Sequence, residues 1–182
     1  MAHINVIPGV PGIRSLALFR PETAGPLYAL AQVLLRDASP LTPAERELIA
    51  VHVSTRNGCV FCASSHAAAA RELFGEGRAV VDAVIASGAP AALSPKMKAL
   101  LVIAGQVQQS GKAVTPEAVA AARAAGAGDR DIHDTVLIAA TFSMFNRYVD
   151  GLATLTPTDP QAYAEMGKRL STVGYAPPKP SV

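Results

Sequence analysis

Residues 41–74 read LTPAERELIAVHVSTRNGCVFCASSHAAAARELF, and this stretch decides the fold. Thr42-Pro43-Ala44-Glu45 sets an N-cap hydroxyl before a proline at the first helical position. A glutamate follows at the third, where its carboxylate reaches back to the cap. Asn57-Gly58 stops that helix. The segment beyond it contains four consecutive alanines at 67–70, the residue with the highest helix propensity, so a second helix follows directly.

The same punctuation recurs along the chain. Ser94-Pro95, Thr115-Pro116 and Asp159-Pro160 repeat the cap-then-proline start. Gly75, Gly77, Gly88, Gly111, Gly126, Gly128 and Gly174 supply stops. Together they predict helices over about 26–37, 42–56, 60–74, 77–87, 95–109, 116–125, 129–149 and 160–171. Alternating strand patterns are scarce. The expectation is an all-α bundle of about seven or eight helices, with residues 26–172 as one domain. Pro8, Pro11, Pro21 and several glycines mark residues 1–25 as an extended N-terminal arm, and 173–182 read as an extended C-terminal tail. A short internal repeat aligns Leu41-Thr42-Pro43 with Leu93-Ser94-Pro95. In that register Glu47 falls on Ala99 and Cys59 on Gly111, so one helical hairpin carries reactive groups and the other serves as scaffold.

Composition narrows the function classes. The chain has 182 residues, half of them hydrophobic, and a formal net charge of +2 without any run of basic residues. That is not the footprint of a nucleic-acid binder, and the absence of Trp removes the best stacking platform. No charged-then-apolar leader opens the sequence, and no apolar run reaches the roughly 18 residues needed to span a bilayer. The expectation is a soluble, cytoplasmic protein. Its two cysteines are separated by only two residues. A disulfide closing so small a loop adds little chain-entropy stabilisation, so redox chemistry explains the pair better than stapling does.

With a helix beginning near Cys59, Cys59, Cys62 and His66 fall at i, i+3 and i+7 on one face. The helix start favours thiolate, His66 is one turn from Cys62, and two sulfurs a turn apart can close a disulfide once one of them is oxidised. Helix-start position favours Cys59 as the more acidic thiol, whereas proximity to His66 favours Cys62. Arg56 would add positive potential, or else face solvent. Glu47, twelve residues before Cys59 on the preceding helix, fits a Glu–His–Cys relay if the two helices form an antiparallel hairpin; position alone fits a surface residue equally well.

The spacing Glu-x11-Cys-x2-Cys-x3-His, with the Asn57-Gly58 turn before Cys59, resembles the signature of the alkylhydroperoxidase D-like / carboxymuconolactone decarboxylase superfamily, and especially its peroxidase-related proteins. The resemblance extends over roughly 26–150, where Phe145-Asn146-Arg147 also matches. It implies an all-helical fold assembling as a dimer, trimer or hexamer, and peroxide reduction without a cofactor. In that scheme Cys62 attacks the peroxide and Cys59 resolves the sulfenic acid into a disulfide. His66 and Glu47 shuttle protons, and an external thiol reductant protein resets the site. Phe61 departs from the pattern: well-studied members carry a histidine inside the Cys-x-x-Cys loop, so one proton carrier is missing here.

Rival readings use the same residues. Cys59, Cys62 and His66 are three soft ligands for zinc, but a structural zinc site takes four and no second pair is spaced for it. A lactone decarboxylase would use Glu47 and His66 as acid and base with the thiols inert. A non-catalytic helical oligomer would only bind a partner or a metal. His52 reads as a hydrogen-bonded core histidine, His133 as a surface residue at a helix start, and Asn146-Arg147 as a structural tie between helices. Val136, Leu137, Ala140, Met144 and Phe145 read as core or interface packing. No glycine-rich phosphate loop calls for a nucleotide.

Overall fold

The computed structural model describes residues 1–88, 90 and 92–175. Among these there is no strand. The elements are α1 (Gly12–Phe19), α2 (Pro21–Arg36), α3 (Pro43–Arg56), α4 (Val60–Phe74), α5 (Ala79–Ser87), α6 (Pro95–Gln109), α7 (Pro116–Ala124), α8 (Asp129–Gly151) and α9 (Pro160–Val173), with single 3-10 turns at Gly75–Gly77 and Gly111–Ala113. Among the described residues no helix is long and apolar enough to cross a membrane.

Helix α3 is the axis of the bundle. Ten of its residues, including Leu48, Ile49, Ala50, Val51 and Val53, are buried on all sides, because α2, α4, α5, α6 and α8 all pack around it. Its start is the predicted capping box: the Thr42 hydroxyl accepts from the Glu45 N–H at 3.2 Å, and the Glu45 carboxylate accepts from the Thr42 N–H at 2.8 Å. Buried Arg46 donates to the carbonyls of Leu34 and Asp37 at 3.1 and 2.8 Å, satisfying the last turn of α2 from the first turn of α3.

The junction between α3 and α4 sets the position of Cys59. Gly58 takes φ +72, its N–H bonds the Thr55 carbonyl at 3.1 Å, and the Cys59 N–H bonds the Ser54 carbonyl at 3.1 Å. These two bonds are the Schellman pattern, which only a residue free to adopt positive φ completes cheaply. Cys59 then serves as N-cap of α4, and its carbonyl accepts from the Ala63 N–H. Asn57 braces the turn by donating to Asn146 at 2.8 Å, while Asn146 donates to Ser54 at 3.0 Å and Gln108 to Asn57 at 2.8 Å. Asn146 is therefore the structural tie expected of it, joining α8 to the end of α3; Arg147 turns back onto the Ser143 carbonyl of its own helix.

Alanines 67–70 serve close packing as well as propensity. At Gly167 a Cβ would sit 2.6 Å from the backbone and Cβ of Ala68, so α9 lies against α4 nearly backbone to backbone.

Two expectations are corrected. Residues 1–25 are not an extended arm: they hold α1 and the first turn of α2. Pro11 and Pro21 occupy an N-cap and an N1 position, where proline starts helices rather than breaking them. Ile13, Leu16 and Ala17 give α1 an inward face at helical spacing, and the segment is fastened by His3 N–H to Leu152 O (3.0 Å) and Gly12 N–H to Leu155 O (2.9 Å). At the other end α9 runs to Val173 and Tyr175 is buried; the rest of the expected tail, 176–182, lies outside the described residues.

A Cβ at position 58 meets nothing within 4 Å, so replacing Gly58 tests backbone strain alone. Gly58→Ala is expected to cost about 1–2 kcal/mol in urea unfolding and to slow or scramble thiol oxidation, with Gly58→Asn milder on both counts.

Candidate active site

The site is built around a carboxylate with no solvent exposure. Glu47 projects from the middle of α3, and its two oxygens are divided among three partners. Oε1 accepts from Arg36 Nη2 at 2.5 Å and from the Tyr175 hydroxyl at 2.7 Å, and Oε2 accepts from His66 Nδ1 at 2.7 Å. Burial would raise the Glu47 carboxyl, but the His66 charge and hydrogen bond, then Arg36 and Tyr175, outweigh it and hold the group below the usual carboxylate range. Glu47 is therefore an anion. An ionised carboxylate only accepts, so the proton between the two groups sits on His66 Nδ1.

His66 packs against two aromatic rings. The Phe142 ring meets it edge-on at 4.5 Å between centroids, and Tyr175 stacks on it at 5.9 Å and 15°. The Arg36 guanidinium lies over the Tyr175 ring, 5.0 Å from its centre, and also donates to the Leu170 carbonyl at 3.1 Å. Arg36 and Tyr175 were not anticipated from sequence. Arg36 looks like an ordinary basic residue in the last turn of a helix, and Tyr175 stands just before Pro177 and Pro178, in the composition of a loose tail.

Cys59 and Cys62 are both free thiols and both buried. They belong, with Phe61 and Val149, to a small apolar cluster separate from the main core. The Cys62 side chain beside it, together with burial, pushes the Cys59 thiol far above its ordinary range. The helix-start argument for a Cys59 thiolate thus fails: as N-cap in an apolar cluster, its sulfur meets desolvation and a neighbouring sulfur rather than water. Cys62 and His66 both border an apolar pocket of about 580 Å³, counting space open to solvent. Ile13, Leu27, Tyr28, Phe61, Phe145, Tyr148 and Tyr175 form much of its wall. Cys59 borders a different groove, with Val60, Ser64, Arg71 and Tyr163.

Phe61, the departure inside the Cys-x-x-Cys loop, is an anchor. Its ring lies against Gly12, where any Cβ would come within 2.0–2.3 Å of it, and it meets Tyr163 at 6.4 Å between centroids. A histidine would serve that packing poorly, and α1 would lose the surface that seats it over the thiols.

Other sequence candidates lie elsewhere. Arg56 is turned to Gln108 and to His52, away from the thiols. His52 is buried near Gly88 and Gly105 and hydrogen-bonds the Leu101 backbone, as a core histidine does. His133 is exposed and bonds Asp134 at 2.9 Å. Among the described residues no group of three or more His, Cys, Asp or Glu is arranged to hold a metal ion.

Burial, and then Arg56, lower the His52 ring from 6.5 to about 4. The folded state thus resists protonating it while the unfolded chain does not. Stability contributed by neutral His52 is whole above about pH 6.5 and is lost as pH falls from there towards 4, by at most about 3 kcal/mol. His52→Gln is expected to flatten the fall in urea midpoint across that window; equal slopes for the two proteins would contradict this.

Comparison with known proteins agrees with this geometry. Residues 21–106 match the model of the carboxymuconolactone decarboxylase family. Two solved structures share the fold with a TM-score of 0.76 and 27% identity. One is an uncharacterized peroxidase-related protein from Silicibacter sp. TM1040, matched over 85% of this chain and 79% of that one. The other is an uncharacterized peroxidase-related protein from Ralstonia eutropha JMP134, described as an alkylhydroperoxidase AhpD core and matched over 87% and 82%. A protein of unknown function from Agrobacterium tumefaciens shares the fold at TM-score 0.71 and 21% identity, over 87% of this chain and all of that one. Among curated proteins none matches. With its all-α fold and these likenesses, the chain is similar to alkylhydroperoxidase D-like proteins, and its residues 21–106 to the carboxymuconolactone decarboxylase family.

Proposed function

We propose that the protein is a dithiol peroxidase that reduces organic hydroperoxides and is itself oxidised to a Cys59–Cys62 disulfide. The observation that carries this reading is that Cys62 and His66 share the wall of one apolar pocket, while Cys59 packs in the same small apolar cluster as Cys62.

In this reading a hydroperoxide enters with its organic group against the aromatic wall. His66 Nε2 takes the Cys62 proton, and the Cys62 thiolate attacks the terminal peroxide oxygen. The S–O bond forms as the O–O bond breaks, and the alkoxide leaves as an alcohol with the proton from His66. Cys59 then gives up its proton and attacks the Cys62 sulfenic acid. An S–S bond forms, the S–O bond breaks and water leaves. Two thiols and one hydroperoxide become a disulfide, an alcohol and water. An external protein dithiol supplies the two electrons and two protons that reset the site.

Glu47 has a narrower role here than a proton shuttle. With Arg36, Tyr175 and His66 all bonded to it, the carboxylate has no reason to take up a proton at neutral pH. It acts as the orienting anion that places the proton on Nδ1 and stabilises the imidazolium formed in the first step, as the acid of a catalytic triad does.

The family description favours one rival, a lyase using Glu47 and His66 as acid and base with inert thiols. A carboxylate held ionised by three donors is a poor proton donor, which weighs against it.

Stopped-flow reduction of cumene hydroperoxide and hydrogen peroxide tests the proposal. Cumene hydroperoxide is expected to be preferred in kcat/KM by about tenfold or more, from burial of its apolar body. Cys62→Ser should abolish turnover, Cys59→Ser should leave one oxidising equivalent trapped as sulfenic acid, and His66→Gln should slow oxidation by about a hundredfold. Full peroxidase turnover by Cys62→Ser would end the reading. A lactone-decarboxylase activity surviving alkylation of both thiols would install the rival.

A further inference from the structure

The polar cluster draws its members from two distant parts of the chain. Arg36, Glu47, Cys59, Cys62 and His66 all fall within the stretch matched to the family, residues 21–106. Tyr175 does not: it arrives beyond α9, after Gly174 has turned the chain with φ +77. Its N–H is anchored on the Gln32 side-chain oxygen at 2.7 Å. Its ring packs against both the Arg36 guanidinium and the His66 ring. Its hydroxyl donates to Glu47 Oε1 at 2.7 Å, and the hydroxyl oxygen rests 3.1 Å from His66 Nδ1. A phenol has one proton, and it is committed to Glu47; towards Nδ1–H the oxygen is a second acceptor.

We propose that Tyr175 is a positioning residue of the dithiol site, whose hydroxyl sets the charge and orientation of the Glu47–His66 pair. The proposal rests on reading Cys62 and His66 as partners in the chemistry above. By donating to Oε1, the phenol disperses the carboxylate charge and limits how strongly Glu47 holds a proton on His66. By accepting weakly at Nδ1, it keeps the ring turned with Nε2 towards the pocket. Without the hydroxyl, Oε1 retains only Arg36, the carboxylate is less satisfied, and the imidazolium is stabilised more. A more strongly stabilised imidazolium draws the Cys62 proton more readily, so the Cys62 thiolate then forms at lower pH. Tyr175 touches the residues that touch substrate, and acts through them.

The test is the pH profile of Cys62 alkylation by iodoacetamide in the full-length protein, read by peptide mass spectrometry. Tyr175→Phe keeps the ring and its stacking. It is expected to move the midpoint of the profile down by about half a unit to one unit, with little change in Tm. Tyr175→Ala should move it similarly and lower Tm as well. Incorporating fluorotyrosine, whose more acidic phenol is a stronger donor, should move the midpoint up, and should leave it unmoved in the Tyr175→Phe background. This second measurement needs no destabilising substitution. A Tyr175→Phe profile that superimposes on that of the parent protein, or a fluorotyrosine protein with an unmoved midpoint, would overturn the proposal and leave Tyr175 a packing residue. Alkylation reports on the surroundings of Cys62 whether or not peroxide is turned over. Failure of the parent protein to reduce any hydroperoxide would therefore count against the peroxidase reading alone.

Discussion

A charge cut off from water has to be balanced inside the protein, and removing one partner of a buried pair typically costs about 3–5 kcal/mol. Glu47, in the middle of the most enclosed helix, imposes that condition on everything around it. The end of α2 must come close enough for Arg36 to reach it, α4 must present His66, and the chain beyond α9 must return with a phenol. Four separate stretches of sequence are held in register by one carboxylate. A buried anion with three donors is a costly way to stabilise a helical bundle when leucine would fill the space, which suits a group retained for chemistry.

The apolar half of the site is organised differently. Phe61 leans on Gly12, and the two buried sulfurs lie beneath the α1 segment with Val149 beside them. Low polarity around a thiol pair favours the uncharged form of the sulfur that does not face a base, and Cys59 is that sulfur. Two adjoining environments thus treat two chemically identical side chains differently: Cys62 opens with an imidazole onto the apolar pocket, while Cys59 borders a separate groove.

Much of this was legible in the sequence. The helix starts at Pro43, Pro95, Pro116 and Pro160 announce themselves, because an N-cap hydroxyl or carboxylate followed by proline has few other uses. The pairing of Glu47 with His66 could be anticipated once two helices were placed antiparallel across Asn57-Gly58. What escaped was tertiary. Prolines at 11 and 21 look like breakers until it is known that each sits at a helix entrance, and a helix as short as α1 exists because Phe61 and the segment after α8 receive it rather than because its own turns are stable. Tyr175 has no local signal at all. Nothing in its neighbours says that the chain doubles back, and only the small residues Ala68 and Gly167, seen together, hint that α9 must lie close enough to α4 to bring it there.

That near-contact of α4 and α9 carries an evolutionary consequence. With no room for so much as a methyl group at 167 while 68 keeps its own, the two positions share a single allowance of volume. A lineage that enlarges one of them must lose side-chain bulk at the other or let α9 drift outward, and drift would carry the phenol away from the carboxylate. Paired restriction at 68 and 167 in homologous chains would therefore travel with a tyrosine at 175. Relatives whose chains stop before that tyrosine would be free to accumulate larger residues at both places.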